Sequence, residues 1–190
     1  MIDAKEARQR LIDGNLKYLC ADTAKGDVSP ALRRDTALNG QHPYAIIITC
    51  SDSRVIPESI FSAGIGELFV IRVAGNVIDD HQLGSIEYAA DHLGTKLIVV
   101  LGHTGCGAVD AAIKGHAGGF IDSIIRDISL AIGDETDAFR ASCLNVGHGV
   151  EVIRRELEIH PVHDPEGLVV AGAIYHIDDG RVEFLDYITE

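Results

Sequence analysis

Two short segments of the sequence combine reactive side chains with small residues, and each follows an apolar run. Cys50–Arg54, "CSDSR", comes after "YAIIIT", and His103–Gly107, "HTGCG", comes after "LIVVLG". Thiolate sulfur and imidazole nitrogen are the ligands that zinc prefers, and catalytic zinc sites keep one tetrahedral position open. Cys50, His103 and Cys106 supply two sulfur atoms and one nitrogen atom. They therefore predict a zinc site with three protein ligands.

The first of these segments also contains an acid–base pair, Asp52 and Arg54. An arginine beside an aspartate can bind it through two hydrogen bonds, which keeps the carboxylate ionised and oriented. Next to a zinc ion, such a carboxylate can accept a proton from activated water. Released from its arginine, Asp52 could instead ligate the metal and close the fourth position.

Both segments also have simpler interpretations. A cysteine after a strand, such as Cys50, is often a small core residue, and a glycine-rich turn can cradle phosphate. However, "GHTGCG" matches neither the dinucleotide-binding nor the P-loop pattern. Thiol redox chemistry through Cys50 and Cys106 lacks a C-x-x-C pair. Asp52 and Arg54 can form a purely structural ion pair, so the zinc site is a hypothesis for the structure to test.

The segments around these motifs predict an α/β fold with a mainly parallel central sheet flanked by helices. Apolar, β-branched runs of strand length indicate four strands, at 44–49, 68–73, 96–101 and 167–177. The turn "DDG" at 178–180 before "RVEFLDYI" predicts a hairpin and an antiparallel C-terminal edge strand. Because ligands bind beyond the carboxyl ends of parallel strands, Cys50 and His103 are expected to share one crevice.

Helical periodicity and capping signals predict the helices that flank this sheet. They are expected over 2–19, from Ser29-Pro30 to about Leu38, from Pro57, from an N-cap at Asp80 to Gly94, and over 105–114, 119–132 and 137–159. Residues 1–40 then form an N-terminal helical arm, whose amphipathic first helix suits packing on a partner. With no repeat or linker, residues 1–190 are expected to form a single domain.

The overall charge excludes some functions. The formal net charge is −13, from 16 basic and 29 acidic residues, which argues against a nucleic-acid groove and against tight binding to an anionic membrane surface. The polar N-terminus shows no signal-peptide pattern, and the apolar runs are too short to span a bilayer. We expect a soluble, cytoplasmic protein whose cysteines stay reduced.

Three motifs in this order resemble the β-class carbonic anhydrases: "CSDSR", "RVAGN" (Arg72–Asn76) and "HTGCG". The resemblance extends from about residue 10 to the C-terminal hairpin. It implies reversible hydration of CO2 to bicarbonate and a proton, with one Zn²⁺ per chain bound by Cys50, His103 and Cys106. It further implies that Asp52 orients a zinc-bound hydroxide or becomes the fourth ligand, and that Arg54 holds Asp52 away from the metal.

The resemblance also implies a substrate pocket and an assembly. Gln41 and Phe69 match a substrate-pocket glutamine and phenylalanine, and the Gly107 amide matches a donor to bound substrate. The basic unit is expected to be a homodimer that can pair into a tetramer. Two alternatives keep the fold and the metal: a hydrolase acting on CS2 or COS, and a non-catalytic protein that binds zinc or bicarbonate. The sequence leaves open whether Asp52 closes the site and which group shuttles protons.

Overall fold

A five-stranded sheet lies at the centre of the protein, whose computed structural model describes residues 2–20, 26–116 and 118–185. The strand order is β2-β1-β3-β4-β5, and every neighbouring pair is parallel except β4 with β5. The strands are β1 Ala45–Thr49, β2 Leu68–Arg72, β3 Leu97–His103, β4 Val169–Tyr175 and β5 Val182–Phe184. The predicted α/β fold with a mainly parallel sheet and an antiparallel edge strand is confirmed.

Seven α-helices lie in the described part of the chain, close to the predicted positions, and a short 3-10 helix at Ala74–Asn76 follows β2. They are α1 Ala4–Cys20, α2 Pro30–Asn39, α3 Pro57–Ile60, α4 Asp80–His92, α5 Gly107–Ile113, α6 Ile121–Ile132 and α7 Ala138–Ile159. The α2 cap is as predicted, because the Ser29 hydroxyl oxygen accepts a hydrogen bond from the Leu32 N–H at 3.2 Å and Pro30 opens the helix.

The predicted cap of α4 was wrong by one residue. Asp79, not Asp80, is the N-cap: its carboxylate accepts a hydrogen bond from the His81 N–H at 2.8 Å. The Gln82 side chain in turn accepts one from the Asp79 N–H at 3.0 Å. This reciprocal pairing requires a glutamine or glutamate three residues after the cap, and only Asp79 has one at that spacing.

Helices cover the sheet on both sides, so the central strands β1 and β3 are buried on both faces, whereas β2 and β5 at the sides of the sheet are partly exposed. One face carries a cluster that includes Leu11 of α1, Ile47 and Leu101. The other face carries a cluster that includes Ile86 of α4 and Val150 of α7. Burying each such leucine, isoleucine or valine contributes about 1.5–3 kcal/mol, so this aliphatic packing holds the strand ends, and the loops that follow them, in place.

The two N-terminal helices, α1 and α2, differ in how much of their surface is buried. α1 buries Ala4, Ala7 and Leu11 against its own sheet, whereas Leu16 and Leu19 on the same helix are exposed. No residue of α2, all of which the structure describes, is buried. The domain 1–190 with a helical arm over 1–40 stays a prediction, and residues 1 and 21–25 of that arm lie outside the described residues.

The C-terminal hairpin forms at the predicted turn. Gly180 has a φ of +81°, which favours glycine, and its N–H donates to the His176 carbonyl oxygen at 2.8 Å. The predicted edge strand is observed as β5, and residues 186–188 of that prediction lie outside the described residues. None of the described helices is both long enough and apolar enough to cross a membrane.

One buried side chain, Asn15, joins three parts of the fold. Its Nδ2 donates to the carbonyl oxygens of Ile60 at 3.2 Å and Gly180 at 2.9 Å, and its Oδ1 accepts from the Val182 N–H at 3.0 Å. It therefore ties α1 to the end of α3 and to the hairpin. A buried amide with all of these partners stabilises the fold, whereas removing it leaves three backbone groups unpaired.

We expect Asn15→Ala to lower the free energy of unfolding by about 2–3 kcal/mol, because the three backbone groups lose their partner. The midpoint of thermal unfolding should fall by about 5–10 °C. The measurement is thermal unfolding followed by circular dichroism at fixed protein concentration. Gln9→Ala is the matched control, since Gln9 lies on the same helix and its side chain donates to the exposed Asp13 carboxylate. Equal midpoints for the two variants would contradict this role.

Candidate metal centre

The structure brings the three predicted zinc ligands together at the carboxyl edge of the sheet. Cys50 directly follows β1, His103 is the last residue of the adjacent parallel strand β3, and Cys106 precedes α5. Their ligand atoms all lie within 4.8 Å of one another. All three side chains are buried, with exposed fractions of 5%, 1% and 4%. Two sulfur atoms and one nitrogen atom therefore face one point beneath the surface.

The imidazole of His103 is oriented for metal binding. Its Nδ1 lies 3.0 Å from the carbonyl oxygen of Thr104. A carbonyl oxygen can only accept, so Nδ1 carries the proton and Nε2 carries the lone pair. Nε2 is buried and has no hydrogen-bond partner among the described residues. An unpaired buried nitrogen is costly in a folded protein, and a metal ion is a partner that fits it.

The two sulfur atoms hold protons unequally. The Cys106 thiol is hydrogen-bonded to the Cys50 sulfur, and this contact lowers the pKa of Cys50 and raises that of Cys106. Burial opposes ionisation of both groups. The Gly75 N–H also donates to the Cys50 sulfur, at 3.3 Å. A divalent cation bound to both sulfur atoms would take the place of the proton between them.

Asp52 and Arg54 form the predicted two-bond pair at the rim of this cluster. Arg54 Nε donates to Asp52 Oδ1 at 2.9 Å, and the terminal nitrogen Nη2 donates to Oδ2 at 2.6 Å. Hydrogen bonds from Arg54 hold the pKa of the Asp52 carboxyl well below its usual range, although burial acts the other way. Arg54 also donates to the Gly105 carbonyl oxygen at 3.2 Å. Asp52 therefore faces Arg54 in this structure and stands outside the three-ligand cluster.

Arg72 supports the first loop, a role that the sequence reasoning missed. Its Nε donates to the Cys50 carbonyl oxygen at 3.1 Å, and its Nη2 donates to the Asp52 carbonyl oxygen at 2.7 Å. These bonds fix the backbone on both sides of Ser51. The signal was present, because Arg72 begins the "RVAGN" motif, but the motif by itself does not indicate which groups the guanidinium contacts.

The residues predicted to bind substrate are divided between the two edges of the sheet. Gly107 opens α5 next to Cys106 and is exposed, at the same edge as the metal ligands. Phe69 pairs with Ile46 in the register of β1 and β2, four residues and hence about 13 Å before Cys50 along the strand. Gln41 precedes β1 at that same distant edge. The structure therefore does not bring Gln41 or Phe69 to the metal ligands of their own chain.

Tyr88 lies near both Gln41 and Phe69. The ring centroids of Phe69 and Tyr88 are 6.1 Å apart, and Gln41 and Tyr88 line the same surface depression of about 590 Å³. Tyr88 is about half exposed. Gln41 is exposed and Phe69 is partly buried against the core, so these residues form a surface patch of which Gln41 and Tyr88 are the more exposed part.

The fold and the site together define a class: an open α/β protein with a candidate metal centre of two cysteines and one histidine beyond the carboxyl ends of its parallel strands. Residues 45–182 match the family model described as carbonic anhydrase. The chain belongs to the carbonic anhydrase family, in its β class, and is a lyase.

Individual relatives agree with this assignment. "Carbonic anhydrase 2" of Mycobacterium tuberculosis is 39% identical, over 96% of this chain and 93% of its own length. The carbonic anhydrase of Mycolicibacterium smegmatis is 35% identical over the same shares of the two chains. Among solved structures, tetrameric β-carbonic anhydrases of Sordaria macrospora match with a TM-score of 0.70 and 30% identity, over 83% of this chain and 87% of theirs.

Replacing one ligand should remove the metal. We expect Cys106→Ser protein, purified without chelator, to hold only a small fraction of a zinc ion per chain, against about one in the unaltered protein, because a neutral hydroxyl is a poor zinc ligand. Elemental analysis by mass spectrometry measures this directly. Cys20→Ser is the matched control, since Cys20 is an exposed cysteine at the end of α1. Undiminished zinc in Cys106→Ser would rule out the proposed ligand set.

Proposed function

We propose that this protein catalyses the reversible hydration of CO2 to bicarbonate and a proton, with one Zn²⁺ per chain bound by Cys50, His103 and Cys106. The observation that carries the proposal is the buried group of two sulfur atoms and one unpaired imidazole nitrogen. Thiolate and imidazole donors favour zinc over magnesium or calcium, which prefer oxygen ligands. Three protein ligands leave the fourth tetrahedral position for solvent.

A zinc ion in this position would supply a water nucleophile at neutral pH by lowering the pKa of the bound solvent. The protein's own contribution begins with Asp52. Arg54 engages both of its oxygen atoms. Oδ1 accepts hydrogen bonds from both Nε and the backbone N–H of Arg54, whereas Oδ2 accepts one from Nη2 and keeps a further lone pair that can accept a hydrogen bond. In the proposed mechanism, Asp52 accepts a hydrogen bond from the attacking oxygen and so points that oxygen's lone pair at the carbon of CO2.

Arg54 determines whether Asp52 can do this. As long as both carboxylate oxygens are bound to Arg54, Asp52 stays out of the fourth metal position. The bond from Arg54 to the Gly105 carbonyl oxygen joins the loop of Cys50 to the loop of Cys106. We propose that loss of this arginine would let Asp52 close the site, so that Arg54 keeps the enzyme in its open, active form.

Asp52→Asn tests this mechanism. An asparagine keeps the size of the side chain but replaces one acceptor oxygen with a donor. We expect full zinc content and CO2 hydration slowed by about 10²–10³-fold in stopped-flow assays, within the usual contribution of a positioned acid–base group. Asp110→Asn is the matched control, because Asp110 is a nearby aspartate of α5 that pairs with the exposed Lys114. A fully active Asp52→Asn enzyme would remove this role.

The same assay tests the substrate. Hydration of CO2 by the unaltered protein, dependent on its zinc, is the expected result. Hydrolysis of CS2 or COS without CO2 hydration would contradict the proposed reaction, and zinc binding without any turnover would indicate a non-catalytic protein.

We further propose that a homodimer is the smallest complete unit. Gln41 and Phe69 lie at the edge of the sheet opposite their own metal ligands, on a patch where Gln41 is exposed and Phe69 is partly buried. A second copy of the chain that presents this patch to the metal centre would complete its substrate pocket, with the Gly107 N–H as a donor from the chain that holds the metal. Two dimers would then pair into a tetramer, the assembly of the Sordaria macrospora relatives.

A reducing compartment suits this site, because Cys50 and Cys106 would bind the metal as thiolates. None of the four cysteines, all within the described ranges, forms a disulfide. We therefore propose a cytoplasmic location.

Mixed dimers test the shared pocket. Cys106→Ser chains lack a metal site but keep Phe69, whereas Phe69→Ala chains keep the metal site but lack the ring. We expect each variant alone to be strongly impaired. A mixed dimer, isolated with two different affinity tags, should recover about half of the unaltered activity, because one of its two sites is complete.

The control for this experiment is a mixed dimer of Cys106→Ser with Cys50→Ser. Both changes damage the metal ligands of their own chain, so no site is complete and no activity should return. If Cys106→Ser with Phe69→Ala is also inactive as a mixed dimer, Phe69 does not act across the interface.

A further inference from the structure

A left-handed turn at Gly75 and Asn76 supports the sulfur of Cys50. Gly75 has a φ of +67° and Asn76 a φ of +47°, a region that costs free energy for residues other than glycine. The turn follows β2 and aims the Gly75 N–H at the Cys50 sulfur, 3.3 Å away. A side chain at residue 75 would place its Cβ only 2.6 Å from Ile128 Cδ1. The turn is therefore tightly enclosed as well as strained.

Asn145 of α7 holds this turn from the other side. Its Nδ2 donates to the Gly75 carbonyl oxygen at 2.8 Å, and only 5% of the residue is exposed. On this buried side of α7 its neighbours are mostly apolar or small, among them Ala141, Val146 and Gly149. An amide in such surroundings is costly unless it is hydrogen-bonded. The hydrogen bond to the Gly75 carbonyl oxygen therefore compensates for burying the Asn145 amide.

The N–H group that this turn presents acts on a metal ligand. A hydrogen bond to a thiolate sulfur withdraws charge from it and fixes its direction. Partners of this kind, one step removed from the metal, commonly change metal affinity by about 10–100-fold. Among the described residues the Asn145 side chain is hydrogen-bonded to the Gly75 carbonyl oxygen and to none of the three ligands, so the route from Asn145 to the metal runs through the Gly75 turn.

We propose that Asn145 is a positioning residue of the metal centre: by holding the Gly75–Asn76 turn, it keeps the Gly75 N–H on the Cys50 sulfur and so controls how tightly the site retains its metal. This inference rests on the proposed zinc site. A positioning role differs from a purely structural one: replacing Asn145 must then change the bond between the Cys50 sulfur and the metal, and not only the stability of the fold.

Cobalt(II) in place of zinc makes that bond visible. The protein is stripped of metal and reloaded with cobalt(II), and the charge-transfer band from cysteine sulfur to cobalt is recorded for the unaltered protein and for Asn145→Leu. Without the N–H contact, the sulfur electrons are less stabilised, so the band should move to longer wavelength. Transfer of zinc to a chromophoric chelator should be about 10-fold faster from the variant.

Ser142→Ala is the matched control. Ser142 is buried on the same helix, and its hydroxyl group bonds the Ala138 carbonyl oxygen within α7 at 2.8 Å. This variant also loses a buried polar group but should keep the band position and the rate of zinc release. If Asn145→Leu lowers the unfolding midpoint yet leaves the band and the release rate unchanged, Asn145 is structural only and the proposal is overturned.

A second variant, Asn145→Ala, guards against misfolding of the leucine variant, since alanine suits a helix and adds no bulk. It should show the same band shift and faster release. If neither variant folds, Asn145 serves the fold rather than the metal centre, and the proposal fails. Unaltered protein that takes up no cobalt or zinc would instead overturn the metal site itself. If all variants bind the same amount of metal, show the same band position and release zinc at the same rate, only the role of Asn145 is overturned.

Discussion

The parallel pairing of β1 with β3 is the constraint on which the rest of the site depends. Thr49 pairs with Leu101 in register, and the Thr49 hydroxyl also donates to the Leu101 carbonyl oxygen at 2.8 Å. Because both strands run in the same direction, the loops that follow them emerge at one edge of the sheet. Cys50 and His103, which are distant in sequence, therefore meet. Both strands are fully buried, so a shift of either would expose apolar side chains and misplace a ligand.

The negative charge that the sulfur atoms and the Asp52 carboxylate can carry at this edge must be balanced, because these groups are partly or fully buried. Charge on buried groups is tolerated only when hydrogen bonds or opposite charges accompany it. Arg54 neutralises Asp52, and Arg72 binds two backbone carbonyl oxygens of the same loop. Gly75 adds an N–H on sulfur. The unpaired Nε2 of His103 is the one group of the cluster whose partner is not among the described residues, and this is where a metal ion fits.

The residues of the proposed active site lie at two opposite edges of the sheet. The carboxyl edge carries the candidate metal ligands and the Asp52–Arg54 pair, whereas the opposite edge carries Gln41 and Phe69. A chain of this topology cannot fold one edge onto the other, because the buried strands β1, β3 and β4 between them are rigid and five to seven residues long. A pocket that uses both sets of residues therefore requires two chains, and this makes assembly part of the proposed catalytic function rather than an addition to it.

The sequence by itself determined the element types, the α/β class and the three candidate metal donors, because apolar periodicity, turn residues and ligand chemistry are local properties. It misplaced the cap of α4, since Asp79 and Asp80 differ only in what lies three residues later. Tertiary structure alone decided that Asp52 faces Arg54, that Arg72 clamps the Cys50 loop and that Phe69 lies far from the metal ligands of its chain. It also joined Asn145 to Gly75, 70 residues away. Such contacts depend on how strands pair and helices pack, which brings together segments whose proximity no local pattern encodes.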